Sequence, residues 1–232
     1  MEIKEVLQRY IQGEREFEQL QLQASELIKA NLSEANFRGT DFRESRLGKT
    51  NFSKACFHRA DLSEAILWGA DFTEADLQEA LLREVDLSGA ILTKANLKAV
   101  NLIKATLGGA DLRQANLEKA ILYEADLRPT SEQMTQGENA NFQEADLSYA
   151  RLSGAILRSA NLKGAKMRRT DLSKGIWRTS LPTDLSNANL ENADLSYADL
   201  SGAILCDANL RGADLTGTNL TNTDLRGTIL PQ

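Results

Sequence analysis

Residues 59–90 read RADLSEAILWGADFTEADLQEALLREVDLSGA. Ala returns at every fifth position, at Ala60, Ala65, Ala70, Ala75 and Ala80, and Leu or Phe follows two places later each time. No regular element has this period. Five residues turn an α-helix by about 500°, so successive large residues would drift around it by roughly 140°. In a strand an odd period flips the side chain to the opposite face at every repeat. A chain that turns a corner every five residues keeps both positions inward. The large residue fills the middle of a wall, and the small one sits where the wall bends. Four such walls close a square coil of about twenty residues, and stacked coils make an all-β solenoid built like a β-helix.

The pattern extends over nearly the whole chain. Leu or Phe occupies every fifth position from Phe17 to Leu127, then from Phe142 to Leu172 with Met167 as the one substitute, then from Leu185 to Leu230. All seven Phe are among these forty centres. Coils spaced at about 4.8 Å give a rod on the order of 50 Å long. Residues 1–14 lie outside the repeat. Ile3, Val6, Leu7, Tyr10 and Ile11 are spaced as on a helix, which predicts a short amphipathic helix over 2–12 that caps the first coil. Residues 15–230 form one solenoid with loops near 128–140 and 178–184. RPTSEQMTQGENA, residues 128–140, is polar and carries Pro129 and Gly137. The next centres in register would be Glu132 and Gly137; neither is apolar, so the repeat is expected to stop there. The loop preserves the register modulo five, which leaves the walls after Leu127 unassigned. Trp177 is expected at a centre or over a widened corner of the second loop.

Composition limits the function. Hydrophobic residues make up 42% of 232, enough to build a core, so the chain is not of disordered composition. A net charge of -6 disfavours direct nucleic-acid binding. The N-terminus has no apolar signal core and no stretch is long enough to span a membrane, so the expectation is a cytoplasmic protein with no membrane partner. Cys56 and Cys206 have no nearby companion, and His58, the only histidine, has none either, so no metal, cofactor or catalytic constellation is expected. Asp recurs because the repeat recurs, and two nearby Asp are not evidence of acid–base chemistry.

Residues twenty apart stack. Before the first loop this puts Glu44, Glu64, Glu84 and Glu124 in one column with Lys104 among them. The same wall carries Leu81 and Ile121, with Arg83, Ile103 and Tyr123 at its corner, and the next wall carries Ile66 and Trp68. With Pro129 of the loop, these residues are the candidate protein interface: outward apolar groups rimmed by charge. The bland reading is that long side chains and the loop cover them. A second candidate is a basic patch of Arg158, Lys163, Lys166, Arg168, Arg169 and Arg178, read otherwise as a solvated charge run. No cap sequence follows Leu230, and the expected state is a monomer or a weak C-terminal homodimer.

ANLSE at 30–34, ADLSE at 60–64, ADFTE at 70–74, ANLKG at 160–164 and ADLTG at 213–217 resemble the signature of the pentapeptide repeat family. The resemblance covers residues 15–230. It implies a right-handed quadrilateral β-helix and no single function. LGKTNFS at 47–53, ADLSEAILWGADF at 60–72, VNLIKA at 100–105 and ADLRPTS at 125–131 resemble members that regulate cyanobacterial heterocyst differentiation through protein contacts. The implied function is a non-catalytic interaction scaffold of regulatory type. The rival readings are a DNA-mimicking protein that binds a topoisomerase such as gyrase, weakened by the basic stretch 151–178, and a purely structural spacer.

Overall fold

The structure, a computed structural model, describes residues 2–175 and 181–231. One pentad shows how the coil is made. Leu62 and Ala65 are buried. The Ala65 N–H closes a turn on the Leu62 carbonyl at 3.1 Å, and between them Glu64 takes a φ of +60°. A positive φ at the third turn residue marks a type II turn. Non-glycine residues tolerate it here because each turn is locked from both sides: Leu62 and Glu64 donate to Leu81 and Arg83 of the next coil at 2.7 and 2.8 Å, and Asp61 donates back to Thr40 at 3.0 Å. Asp61 Oδ1 also accepts the Ser63 N–H at 3.0 Å. The same bond is made by Asp71, Asp86, Asn101 and Asn116, which explains why Asp or Asn precedes the centre: its side chain satisfies the first turn amide.

Parallel pairing places Asp41 beside Asp61, Asp61 beside Leu81 and Leu81 beside Asn101, twenty residues apart at each step. The ladder has four walls. The first contains Glu16, Asn36 and Cys56; the second Gln21, Asp41 and Asp61; the third Glu26, Arg46 and Ile66; the fourth Asn31, Asn51 and Asp71. Ten complete coils form, and Ile229 opens an eleventh. Each wall contributes one paired residue between turns, too short for an extended strand. The shaft is filled by the centres. Phe17, Phe37 and Phe57 stack along the first wall with centroids 5.7 and 5.3 Å apart. Outside the same wall, Asn96, Asn116, Asn141, Asn161, Asn189 and Asn209 pass amide hydrogen bonds from coil to coil at 2.9 to 3.5 Å.

Helix α1, Ile3–Ile11, lies over the first coil. Ile3, Val6 and Tyr10 are buried in the common core, and the Tyr10 hydroxyl donates to the Ser33 carbonyl at 3.0 Å. The helix therefore covers apolar surface and one edge carbonyl together.

The first loop is shorter than the sequence pattern indicates. Gln136 pairs with Asp111 and Ile156, and Gly137 occupies the centre position, its N–H donating to Ile156 at 2.7 Å. The repeat resumes at Thr135. Glycine can stand at a centre because Leu157 of the next coil fills the space; a Cβ on Gly137 would lie 2.8 Å from Leu157 Cδ2. Pairing across this loop spans 25 residues instead of 20, so one pentad's length leaves the coil. Across the second loop Ile156 pairs with Asp184, 28 residues on, so eight residues leave it. Trp177 and Arg178 lie outside the described residues.

Both loops leave the rod at the edge between the third and fourth walls. Small residues make room for them. A Cβ on Gly108 or Gly109 would stand 3.0 Å from the Arg128 carbonyl or Gln133 Cβ, and Gly154 lies against both Pro129 and Leu181. The coil between the loops is thus clamped from below and above, which buries Ser153 and Gly154.

Candidate protein-interaction surface

The wall assignments divide the candidate interface into two. Leu81 and Ile121 are exposed on the second wall, with Arg83, Ile103 and Tyr123 at its junction with the third. Ile66 is on the third wall, half-buried, and Trp68 is at that wall's far edge. Asp86, Thr106 and Asp126 continue the column of Ile66 on the third wall, between the edge that carries Trp68 and the corner that carries Ile103 and Tyr123. Pro129 is half-buried against Gly154 and belongs to the loop packing more than to either group.

Trp68 is exposed, but its ring is held against the rod. Its indole lies across Gly48 of the preceding coil, where a Cβ would come within 2.6 Å of Trp68 Nε1. Lys49 Nζ sits 4.6 Å from the ring centroid. This is an orienting arrangement: backbone close against the indole and a cation over the ring. On the second wall, Asp61, Ser63, Glu64, Leu81, Arg83 and Glu84 line a shallow open depression. Glu64 and Glu84 have no basic partner among the described residues, whereas Glu124 is approached by Lys104 at 3.9 Å. The Tyr123 ring packs on Tyr149 at 5.4 Å, and burial followed by the neighbouring Glu124 charge pushes its hydroxyl pKa up.

The basic run does not form one patch. Each pentad turns the chain onto the next wall, so sequence neighbours separate. Arg158, at the fourth wall's corner, pairs with Asp184 at 3.2 Å, and Lys163, at the first wall's corner, pairs with Glu191 at 3.2 Å. Lys166, Arg168 and Arg169 share the second wall and its corner. Arg169 lies 6.0 Å from the Tyr149 ring and 5.7 Å from Tyr197, and Arg168 lies 5.8 Å from Tyr197. Tyr149 and Tyr197 are exposed and were missed by the column reading, which stops at the first loop.

Among the described residues no group of three or more His, Cys, Asp or Glu is arranged to hold a metal ion. No described helix is long and apolar enough to cross a membrane.

Eight copies of the family model for pentapeptide repeats match between residues 30 and 232. The chain belongs to the pentapeptide repeat family. Among solved structures, this pentapeptide repeat chain is similar to HetL, a pentapeptide repeat protein involved in heterocyst differentiation regulation from the cyanobacterium Nostoc sp. strain PCC 7120. The two are 51% identical over 99% of this chain and 97% of HetL, with a TM-score of 0.98. A second pentapeptide repeat structure, full-length QnrB1, a plasmid-mediated fluoroquinolone resistance protein, is 19% identical over 85% of this chain and 92% of its own, with a TM-score of 0.51. That likeness concerns the fold alone. Comparison with the curated proteins gives no match.

Proposed function

We propose that the chain is a non-catalytic interaction scaffold that regulates heterocyst differentiation in a cyanobacterium by binding another protein. The observation that carries this reading is the 51% identity to HetL over nearly the full length of both chains. The surface assigned to the contact is Ile66 on the third wall with Trp68 at its far edge, together with Leu81, Arg83, Ile103, Ile121 and Tyr123 on the second wall and its corner. Large side chains held on a rigid wall lose little entropy when a partner covers them, which suits them to anchor an interface. On this reading the scaffold acts in the cytoplasm, uses no cofactor, and coils with the right hand of its family. A gyrase-binding DNA mimic is the weaker reading, because the first wall is lined by uncharged Asn and the glutamate column is interrupted by Lys104.

The test is expression in a heterocyst-forming filament. The wild-type chain is expected to change heterocyst frequency, and the Trp68→Ala/Tyr123→Ala double variant to leave it unchanged at equal abundance. An equal effect of both proteins removes the assigned surface, and no effect of the wild-type chain removes the regulatory reading.

A further inference from the structure

The edge between the second and third walls changes character along the rod. Its early coils carry Glu44, Glu64 and Glu84; Lys104 and then Tyr123 with Glu124 follow; its later coils carry Tyr149, Arg168, Arg169 and Tyr197. We propose that Arg168 and Arg169, held between Tyr149 and Tyr197, dock an extended acidic segment of a partner protein. This site adjoins the Leu81–Tyr123 group through the Tyr123–Tyr149 contact and lies on later coils than Trp68.

Three observations carry the assignment. First, the other described arginines and one lysine of the run have a carboxylate beside them: Arg151 approaches Asp126 at 3.9 Å, Arg158 pairs with Asp184 and Lys163 with Glu191. Arg168 and Arg169 have no carboxylate partner among the described residues, and both are exposed. Second, their guanidinium groups lie over tyrosine rings at 5.7 to 6.0 Å. Ring contact holds a guanidinium in place without using its N–H donors, which stay available for a carboxylate. Third, the tyrosines stand on coils before and after the arginines, so they flank the cations along the rod axis and give a strand-like segment apolar surface beside its charges.

The neighbouring charges define the size of the site. On the second wall Lys166 stands in the ladder between Asp146 and Asp194 without an ion pair to either among the described residues, and Asp171 follows on the third wall. Two arginines held on tyrosine rings, with Lys166 beside them and three carboxylates around them, suit a short acidic segment. They do not suit a nucleic acid, whose binding needs a longer row of phosphate contacts.

The experiment is fluorescence anisotropy at low salt with a fluorescein-labelled peptide of alternating Glu and Ser, against the same peptide with Gln in place of Glu. The expected result is binding of the Glu peptide only, weakened by salt. Arg168→Gln/Arg169→Gln weakens it by about tenfold or more, while Lys54→Gln/Lys94→Gln, an equal charge change on another edge, leaves it intact. Tyr197→Ala gives an intermediate loss. Equal weakening by both double variants, no preference for the Glu peptide, or equal binding of a single-stranded oligonucleotide of the same charge overturns the proposal. So does a dimer mass by light scattering that falls to the monomer in the Arg168→Gln/Arg169→Gln variant, which would place a second copy of this chain on the arginines.

Discussion

The backbone N–H of Gly109 donates to the Thr135 hydroxyl at 2.8 Å, across 26 residues and a loop. In an uninterrupted coil this amide would find the carbonyl of the residue one coil on, as Gly89 finds Gly108 at 2.9 Å. The loop carries that carbonyl away, and a threonine at the small-residue position replaces it. The second loop repeats the solution: Gly154 donates to Thr183 Oγ1 at 2.8 Å, and Thr183 in turn donates to Ser173 at 2.7 Å.

Thr135→Val keeps the shape and removes the acceptor, leaving a buried amide unpaired. The expected cost is about 1–3 kcal/mol. Thr135→Ser keeps the hydroxyl and should cost clearly less. Urea unfolding of the two variants is the comparison, and equal midpoints for Thr135→Val and the wild type would show that the loop amide finds another partner.

Gly48 is the floor under Trp68. Gly48→Ala places a methyl within 2.6 Å of the indole nitrogen, and the ring must swing outward. In a Trp177→Phe background, which leaves Trp68 as the one tryptophan, its emission should shift to the red and quench more readily with iodide. Stability should change little, because the indole is the movable partner. An unchanged spectrum would mean that the ring is not held on that surface.

Asp126 anchors the entrance to the first loop. Burial pushes its carboxyl up, but the Arg128 side chain and amide, with Arg151 farther out, outweigh burial and hold it below the usual carboxylate range. A depressed value means that the stabilisation is present above the unfolded carboxylate value of about 3.9 and is lost as pH falls through the lower folded value. Hydrogen-exchange protection at residues 128–134 should therefore hold down to about pH 4 and fall below it. Asp126→Asn should show reduced protection already at neutral pH and a flatter acid profile.

The period of five, the four walls, the buried Ala and Leu positions and the columns before Leu127 all follow from the one-dimensional pattern, because each pentad makes the same turn and pairs with the same partners one coil on. The Asp and Asn preference is local too, since Asp61 answers an amide two residues ahead. What the pattern conceals is any length absorbed in a loop. A five-residue excursion after Leu127 leaves the register unchanged, and a glycine at centre 137 hides the point of return, since the space is filled by Leu157 from the following coil.

The surface beyond that point was therefore open until the pairing of Asp111 with Gln136 and Ile156 with Asp184 set the walls. Those pairings send Arg158 to Asp184 and Lys163 to Glu191, and they leave Arg169 between two tyrosines with Arg168 against Tyr197. The physical reason is that a side chain's direction depends on turns the chain makes next to it, whereas its neighbours depend on how many residues other coils consume. The first is written in five consecutive letters; the second exists only once the coils are stacked.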